Sequence, residues 1–219
     1  MASASTRGLI ATPQDIVRLD IVAGELGIEA RMWLKPERGH EVAARRRSRT
    51  GPTGCGLCGV ESLEDAVRPR AGIEALARLT LTPAEVIAAA ASLEPAQIVG
   101  AQTRAVHAAG FWTPEAGLVM AREDVGRHNA LDKLAGALAR AGVDGRTGAV
   151  VLTSRVSVEM VQKTVAIGAP VLIAISARPP LALRTAEAAG LTIVAVARRD
   201  GFEIFTRPGR ISLDLSDRK

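Results

Sequence analysis

The residues best suited to chemistry in this sequence are two cysteines in a glycine-rich segment. Cys55 and Cys58 are the only cysteines among 219 residues, and glycines at positions 51, 54, 56 and 59 surround them. Glycine leaves little side chain to cover the sulfur atoms and opens backbone conformations that other residues avoid. Buried structural cysteines usually lie within apolar runs instead. The pattern therefore predicts an accessible loop whose thiols can reach a ligand or a partner protein.

Zinc binding and dithiol redox chemistry are two interpretations of this pair. A structural zinc site needs four ligands, and the three histidines, His40, His107 and His128, lack the spacing of a zinc finger. The signature of nucleotide deaminases is also absent, so we expect no catalytic zinc. A thioredoxin-like pair begins a helix after a strand, whereas residues 52–54 predict a loop. The loop thus differs from a thioredoxin-like site, but redox cycling between the two cysteines remains an open alternative.

Transfer of sulfane sulfur is the third interpretation. An exposed thiolate can attack a donor persulfide, hold the outer sulfur as its own persulfide and surrender it to an acceptor. This chemistry needs an accessible thiol, a flexible loop and nearby positive charge that favours the thiolate. The glycine loop supplies the first two, and four arginines of a predicted short helix at 40–49 supply the third, although such a helix is more often simply solvated. These are Arg45, Arg46, Arg47 and Arg49.

Composition limits the classes of partner. The formal charge is +5, from 28 basic and 23 acidic residues, which favours an anionic partner. Only five aromatic residues are present, and this argues against single-stranded nucleic acid, which needs stacking surfaces. No apolar run is long enough to span a bilayer. With no signal peptide and two cysteines, we expect a cytoplasmic protein that binds neither nucleic acid nor membrane.

Local patterns predict the elements that must position the loop. Residues 16–34 alternate as a β-hairpin with its turn at 24–27. The run from Thr82 to Glu85 has the cap, proline and glutamate of a helix start, and that helix is predicted to reach about Ser92. A second hairpin is predicted over residues 111–121.

The second half of the chain predicts a parallel sheet. Apolar runs at 149–152, 171–175 and 191–196 suit strands that are buried on both faces. Helices predicted at 157–167 and 181–189 separate them, each ended by a glycine, and a further packing helix is predicted at 125–140. A β-α-β-α-β succession requires parallel strands joined by right-handed crossovers.

Ligands of such sheets bind beyond the carboxyl ends of the strands. Here each of three strand ends is followed by an arginine, namely Arg155, Arg178 and Arg198, and two of these loops also carry hydroxyls. Surface loops often carry arginine, but the repetition at three successive ends favours a cradle for phosphate, assisted by helix N-termini.

Residues 122–134 carry an unusual density of acids, bases and amides. At helical spacing His128 is a neighbour of Asp132, and Asn129 of Lys133, so one interpretation is a capped helix with two internal pairs. The other is a surface that hydrogen-bonds a heterocycle. Glu159 and Lys163 are predicted to form an ordinary surface pair of the same spacing. The sequence around His107 is equally compatible with a histidine buried in the core and with a residue of the site.

Three motifs, taken together and in order, resemble one family. They are GPTGCGLCGVE at 51–61, AREDVGRHNALDK at 121–133, and LTSRVS at 152–157 followed by Glu159, Met160 and Lys163, with GAP at 168–170. This chain is identified from them as similar to the FdhD family, the sulfurtransferases that formate dehydrogenase needs for activity. The likeness covers most of residues 31–212.

The resemblance implies a fold and a reaction. The implied fold is α/β, similar to cytidine deaminases without their zinc: a mixed sheet with flanking helices and a smaller N-terminal part that contains β-strands. Members take sulfur from a cysteine desulfurase as a cysteine persulfide and pass it to the molybdenum bis(molybdopterin guanine dinucleotide) cofactor of formate dehydrogenase. By position, Cys55 would carry the persulfide and Cys58 would assist it.

The resemblance also implies the binding residues. The family's cofactor-binding stretch falls on Val196, Ala197, Arg198, Arg199, Asp200 and Gly201. It overlaps the arginine cradle, to which we add Arg155, Arg178, Arg127 and His128, and GDP-like nucleotides are expected to mimic the cofactor there. A non-catalytic protein that only binds and delivers the cofactor is the alternative.

The chain departs from the family pattern in two places. Residues 11–16 begin a family motif, but the hairpin follows at once where members have a helix, and Gly201 stands where an arginine is common. We predict an N-terminal part at 1–60, with hairpin, basic helix and cysteine loop, and an α/β domain at 61–219, the two in one compact unit or separate. A homodimer is expected.

Overall fold

A six-stranded mixed sheet forms the body of the protein. The computed structural model describes residues 10, 12–24, 27–38, 73, 79–176, 180–198 and 201–212. The strands of the large sheet are β3 (His107–Thr113), β4 (Gly117–Asp124), β5 (Ala149–Leu152), β6 (Val171–Ala174), β7 (Thr192–Arg198) and β8 (Gly201–Thr206). Their order across the sheet is β4-β3-β5-β6-β7-β8. β5, β6 and β7 are parallel, and the other pairs are antiparallel.

Helices cover both faces of this sheet. They are α1 (Pro83–Ala91), α2 (Leu93–Ala96), α3 (Ile98–Thr103), α4 (Arg127–Ala141), α5 (Val158–Ile167) and α6 (Pro180–Ala189). α4, α5 and α6 pack on one face, against Val150 and Leu152 of β5 among others. α1 and α2 pack on the opposite face, against Ala149 and Val151. Alternate residues of β5 are thus buried on opposite sides, which is why its sequence is apolar without interruption.

The predicted α/β architecture is confirmed, including the three parallel strands and the two crossover helices. The helix start at Thr82 is also confirmed: its hydroxyl accepts from the Glu85 amide at 3.3 Å, and the Glu85 carboxylate accepts from the Thr82 amide at 2.7 Å. α5 ends at Gly168, whose φ of +89° is a left-handed conformation that glycine adopts without a Cβ penalty.

The N-terminal hairpin forms a separate two-stranded sheet. β1 (Ile16–Gly24) pairs antiparallel with β2 (Gly27–Leu34), and Gly24 opposes Gly27 at the predicted turn. Arg18 lies over the Trp33 ring, 5.0 Å from its centroid. The smaller β-containing part is therefore confirmed.

Some elements differ from the sequence prediction or lie outside the described residues. β3 begins four residues earlier than the predicted hairpin, and β8 was not predicted from the sequence. The helix predicted at 40–49 lies outside the described residues, so the division into 1–60 and 61–219 stays a prediction. Among helices of the described residues, none is long and apolar enough to cross a membrane.

Candidate functional site

The carboxyl ends of the three parallel strands meet at one edge of the sheet. β5 and β6 end in register at Leu152 and Ala174. Because β3 runs antiparallel to β5, its first residue, His107, lies at the same edge, opposite Asp124 at the end of β4. α4 and α5 follow β4 and β5, so both helices begin here. We call this the carboxyl edge.

The structure brings part of the predicted cradle to the carboxyl edge. Arg155 is exposed just after β5. Arg198 ends β7 and opposes Gly201, the first residue of β8. Val196 and Ala197 precede it in β7, and Ala197 is buried, so its side chain faces the interior rather than a ligand. The remaining predicted cradle residues, Arg178, Arg199 and Asp200, lie outside the described residues.

The hydroxyls after β5 serve the fold. Thr153 Oγ1 accepts from the Ala108 amide at 2.9 Å and donates to the Ala108 carbonyl at 3.3 Å, which joins the end of β5 to β3. Ser154 is buried, and its hydroxyl donates to the Arg155 carbonyl at 3.3 Å. Both hydroxyls thus bond to backbone groups of the fold, and their role as phosphate ligands stays a prediction.

Asp124 organises the turn that leads into α4. Its Oδ1 accepts from the Gly126 amide at 2.9 Å and from Asn129 Nδ2 at 3.3 Å, and its Oδ2 lies 2.5 Å from Lys133 Nζ. The hydrogen bond from Lys133, followed by the one from the Gly126 amide, lowers the pKa of the Asp124 carboxyl below its ordinary value. Asn129 and Lys133 thus share Asp124 as a partner, and the predicted pair between them is wrong.

Glu123 holds a second helix start at this edge. Its two carboxylate oxygens accept from the amides of Val99 and Gly100, at 2.9 and 2.8 Å, in the first turn of α3. Lys133 Nζ donates to the Glu123 carbonyl at 3.1 Å. The end of β4 is therefore tied to α3 as well as to α4, and Glu123 and Lys133 each contribute a bond to a backbone group.

Four ionisable side chains join α4 to α5 at the carboxyl edge. His128 Nε2 lies 2.5 Å from Glu159 Oε2, an ion pair when the imidazole is protonated. One turn further along both helices, Lys163 Nζ lies 2.6 Å from Asp132 Oδ2. We call these four residues the helix ladder. The lower rung is the more buried: the Lys163 and Asp132 side chains are 10% and 15% exposed, against 30% and 22% for His128 and Glu159.

The helix ladder corrects the sequence interpretation of these residues. One interpretation of residues 122–134 pairs His128 with Asp132 along α4, and Glu159 is predicted to pair with Lys163 along α5; the structure shows neither pair. Because α4 and α5 lie side by side and parallel, the side chains that share a face on one helix meet those of the other. The sequence does not reveal this pairing between helices; it shows that each helix carries two ionisable residues four positions apart.

Arg127 carries an unsatisfied donor beside the ladder. Its Nε is buried and has no hydrogen-bond partner in the part of the chain that the structure describes. A buried N–H normally has a partner, and a phosphate oxygen at the start of α4 would provide one. His107, half-buried in the first position of β3, is neither enclosed in the core nor fully exposed.

The two cysteines lie outside the described residues, as do the arginines of 45–49. Cys55 and Cys58 therefore stay predictions as the sulfur-carrying residues. Across the described ranges, no three of His, Cys, Asp and Glu are grouped so that they could hold a metal ion together. Since neither thiol belongs to those ranges, this observation does not test the zinc interpretation.

Comparisons with known proteins agree with one another. The model of the FdhD/NarQ family matches residues 4–212. A protein of Agrobacterium fabrum named sulfur carrier protein FdhD is 48% identical over 208 residues, which are 95% of this chain and 76% of the relative. Its namesake from Brucella abortus is 52% identical over 206 residues, with 94% and 76% covered.

A solved structure has the same fold. It comes from Desulfotalea psychrophila and is provisionally assigned as a formate dehydrogenase accessory protein. The TM-score is 0.69 at 25% sequence identity, and the match covers 96% of this chain and 77% of the other.

Proposed function

The chain belongs to the FdhD/NarQ family, and on that premise we propose that it is a sulfur carrier for formate dehydrogenase. In this proposal Cys55 accepts sulfane sulfur from a cysteine desulfurase and delivers it to the molybdenum bis(molybdopterin guanine dinucleotide) cofactor. Relatives 48% and 52% identical are named sulfur carrier proteins, which supports the general role. The persulfide, its donor and its acceptor are our inference.

The loading step is redox-neutral. The Cys55 thiolate attacks the outer sulfur of the donor persulfide, a new S–S bond forms, and the bond between the donor's two sulfurs breaks. The donor leaves as a thiolate, and Cys55 holds the sulfane sulfur. Cys58, three residues further along the same segment, assists Cys55 in this step. The glycines that flank both cysteines in the sequence add no side chains that would keep the sulfur from two different partners.

The observation that carries the binding half of the proposal is the unsatisfied Nε of Arg127. It lies at the start of α4, which is parallel to α5, so two helix N-termini with positive dipole ends open at one edge. Arg155 and the backbone of Arg198 share that edge. A cofactor with two guanine dinucleotides offers several phosphates to such a surface, and the +5 formal charge favours its approach.

A protein that only binds and delivers the cofactor is the second candidate. It is favoured by the same carboxyl edge, which needs no persulfide to hold phosphate. We propose a homodimer in either case, since a cofactor with two nucleotide arms suits a symmetric receptor.

The persulfide proposal predicts a covalent adduct on one residue. After incubation with a cysteine desulfurase and cysteine, the intact protein should gain the mass of one sulfur atom, and a thiol reductant should remove it. Cys55→Ala should show no gain, while Cys58→Ala should still gain sulfur, at a lower yield. The absence of any adduct on the wild-type protein would favour the binding-only candidate.

The binding proposal predicts selective nucleotide affinity. By calorimetry the full chain should bind GDP more tightly than ADP, and Arg198→Ala should weaken GDP binding about tenfold, since a charged contact to phosphate is lost. Arg146→Ala is the matched control, because Arg146 follows α4 near the start of β5, at the opposite edge. Equal affinity for both nucleotides, with no effect of Arg198→Ala, would remove the nucleotide site from the proposal.

A further inference from the structure

The upper rung of the helix ladder is the contact between His128 and Glu159, and it lies next to the binding surface. We propose that Glu159 is a positioning residue: through His128 it fixes the first turn of α4, and with it Arg127, for a phosphate of the cofactor. The inference rests on the function proposed above and deepens it, because it names a residue of α5 that controls a binding residue of α4.

The two rungs fix how the helices align. Successive contacts advance by four residues on both helices, from His128 with Glu159 to Asp132 with Lys163. Lys163 Nζ also donates to the His128 carbonyl at 3.4 Å. The first turn of α4 is therefore held to α5 through both a side chain and a backbone group.

The rungs differ in what they contribute. The lower rung is largely shielded from water, so losing one member would leave a buried charge unpaired, which is costly. The upper rung is partly exposed, and pairs of that kind add little to stability. The His128 and Glu159 atoms approach to 2.5 Å without hydrogen-bond alignment at Nε2. The lower rung can therefore keep the alignment of α4 and α5, while the upper rung holds the His128 imidazole beside Glu159 by a close contact.

Arg127 lies between two fixed points. On one side the Gly126 amide donates to Asp124 at 2.9 Å, and on the other side His128 contacts Glu159. The Arg127 side chain is half-buried, and its Nε has no partner among the described residues. Because the chain is held on both sides of Arg127, its side chain starts from a fixed position and loses less conformational freedom when it binds phosphate, so its affinity is higher.

Calorimetry with GDP as the probe tests the consequence. For Glu159→Gln, which keeps the shape and removes the charge, we expect the Kd of GDP to rise about tenfold, as is usual when coupled contacts are broken. Glu187→Gln is the matched control. Glu187 pairs with Arg207 at 2.9 Å near the end of α6, at the edge opposite the site, so that variant should bind as the wild type does. Both are measured at 15 °C after circular dichroism has checked that they are folded.

A second readout needs no ligand. The Nε–H resonance of Arg127, identified by its loss in Arg127→Lys, should exchange slowly with water in the wild type because Nε is buried. In Glu159→Gln we expect faster exchange, while Glu187→Gln should leave the resonance unchanged. A purely structural role for the rung would not alter this signal in a folded variant.

The outcomes separate the two proposals. An unchanged Arg127 resonance in Glu159→Gln, an unchanged Kd, or a variant that is unfolded at 15 °C would each overturn the positioning role. If the wild type fails to bind GDP, the nucleotide site under "Proposed function" is overturned, and the exchange of the Arg127 resonance still decides whether Glu159 orients that side chain.

Discussion

At the scale of single residues, Lys163 and Lys133 show how burial changes the contribution of a charged pair to stability. Both ammonium groups contact a carboxylate, at 2.6 Å for Lys163 with Asp132 and 2.5 Å for Lys133 with Asp124. The Lys163 side chain is 10% exposed and that of Lys133 is 52% exposed. Water can therefore replace the partner of Lys133 but has little access to the lower rung of the helix ladder.

Truncation of the two lysines should have unequal effects on stability. Lys163→Met leaves the Asp132 carboxylate without its counter-ion, and we expect it to lower the free energy of unfolding by about 3–5 kcal/mol. Lys133→Met, the matched control, should lower it by about 1 kcal/mol or less. Urea denaturation of both variants at pH 7 measures the difference, and equal losses would contradict the assigned burial. Replacing both members, in Asp132→Leu with Lys163→Met, should recover much of the loss because no charge is left unpaired.

At the scale of elements, Gly148 allows β5 to pair closely with β3. A Cβ at this position would collide with the Trp112 carbonyl oxygen and would lie 2.8 Å from Phe111 Cζ and 2.9 Å from Thr113 Cγ2. Its φ of −153° is open to any residue, so glycine is required here by space and not by backbone conformation. Close pairing brings the end of β5 to the carboxyl edge beside the start of β3.

Gly148→Ala should therefore destabilise the fold. One of the neighbours is backbone, which cannot turn aside as a side chain can, so we expect a loss of about 1–3 kcal/mol in the free energy of unfolding. Gly209→Ala is the control, because a Cβ there meets nothing within 4 Å, and its effect should stay within about 0.5 kcal/mol. Thermal unfolding of the two variants compares them directly. Indistinguishable stabilities would show that β3 and β5 can separate without cost.

At the scale of the whole molecule, charge and topology favour the same kind of ligand. The chain carries an excess of five basic residues, and the sheet brings two helix N-termini with Arg127 and Arg155 to one edge. Opposite charges attract over a distance that salt shortens, from about 10 Å at 0.1 M to about 3 Å at 1 M. The surface thus attracts an anion from outside contact range and holds it by a few close donors.

Salt should weaken GDP binding without affecting a neutral analogue. Between 0.05 and 0.5 M NaCl we expect the Kd of GDP to rise about threefold or more as the cations are screened. Guanosine, which lacks the phosphates, should bind weakly and with a Kd that salt leaves unchanged. Calorimetric titrations of both ligands measure this. A GDP affinity independent of salt would mean that contacts to the base, and not to phosphate, dominate.

Local patterns in the sequence were sufficient for most of the fold. The start of α1 at Thr82, the apolar runs of β5 to β7 and the glycines that end α5 and α6 are each decided by residues close in the chain. β8 was not predicted because it is a short edge strand in which only Thr206 is buried, so its alternation of buried and exposed residues is weak. The cysteine pair and the arginines after the strands could also be recognised from sequence, since spacing and residue type carry that information.

Tertiary structure alone decided which polar groups remain for a ligand. Helical spacing predicted a pair of Glu159 with Lys163 and allowed one of His128 with Asp132, each along a single helix. The parallel packing of α4 and α5 instead pairs these residues across the two helices. The sequence also suggested that the hydroxyl of Thr153 was available, whereas this group bonds to Ala108. Partners distant in the chain compete with near ones for each donor and charge. Which partner a donor or charge binds depends on distance and burial, and only the folded chain defines these.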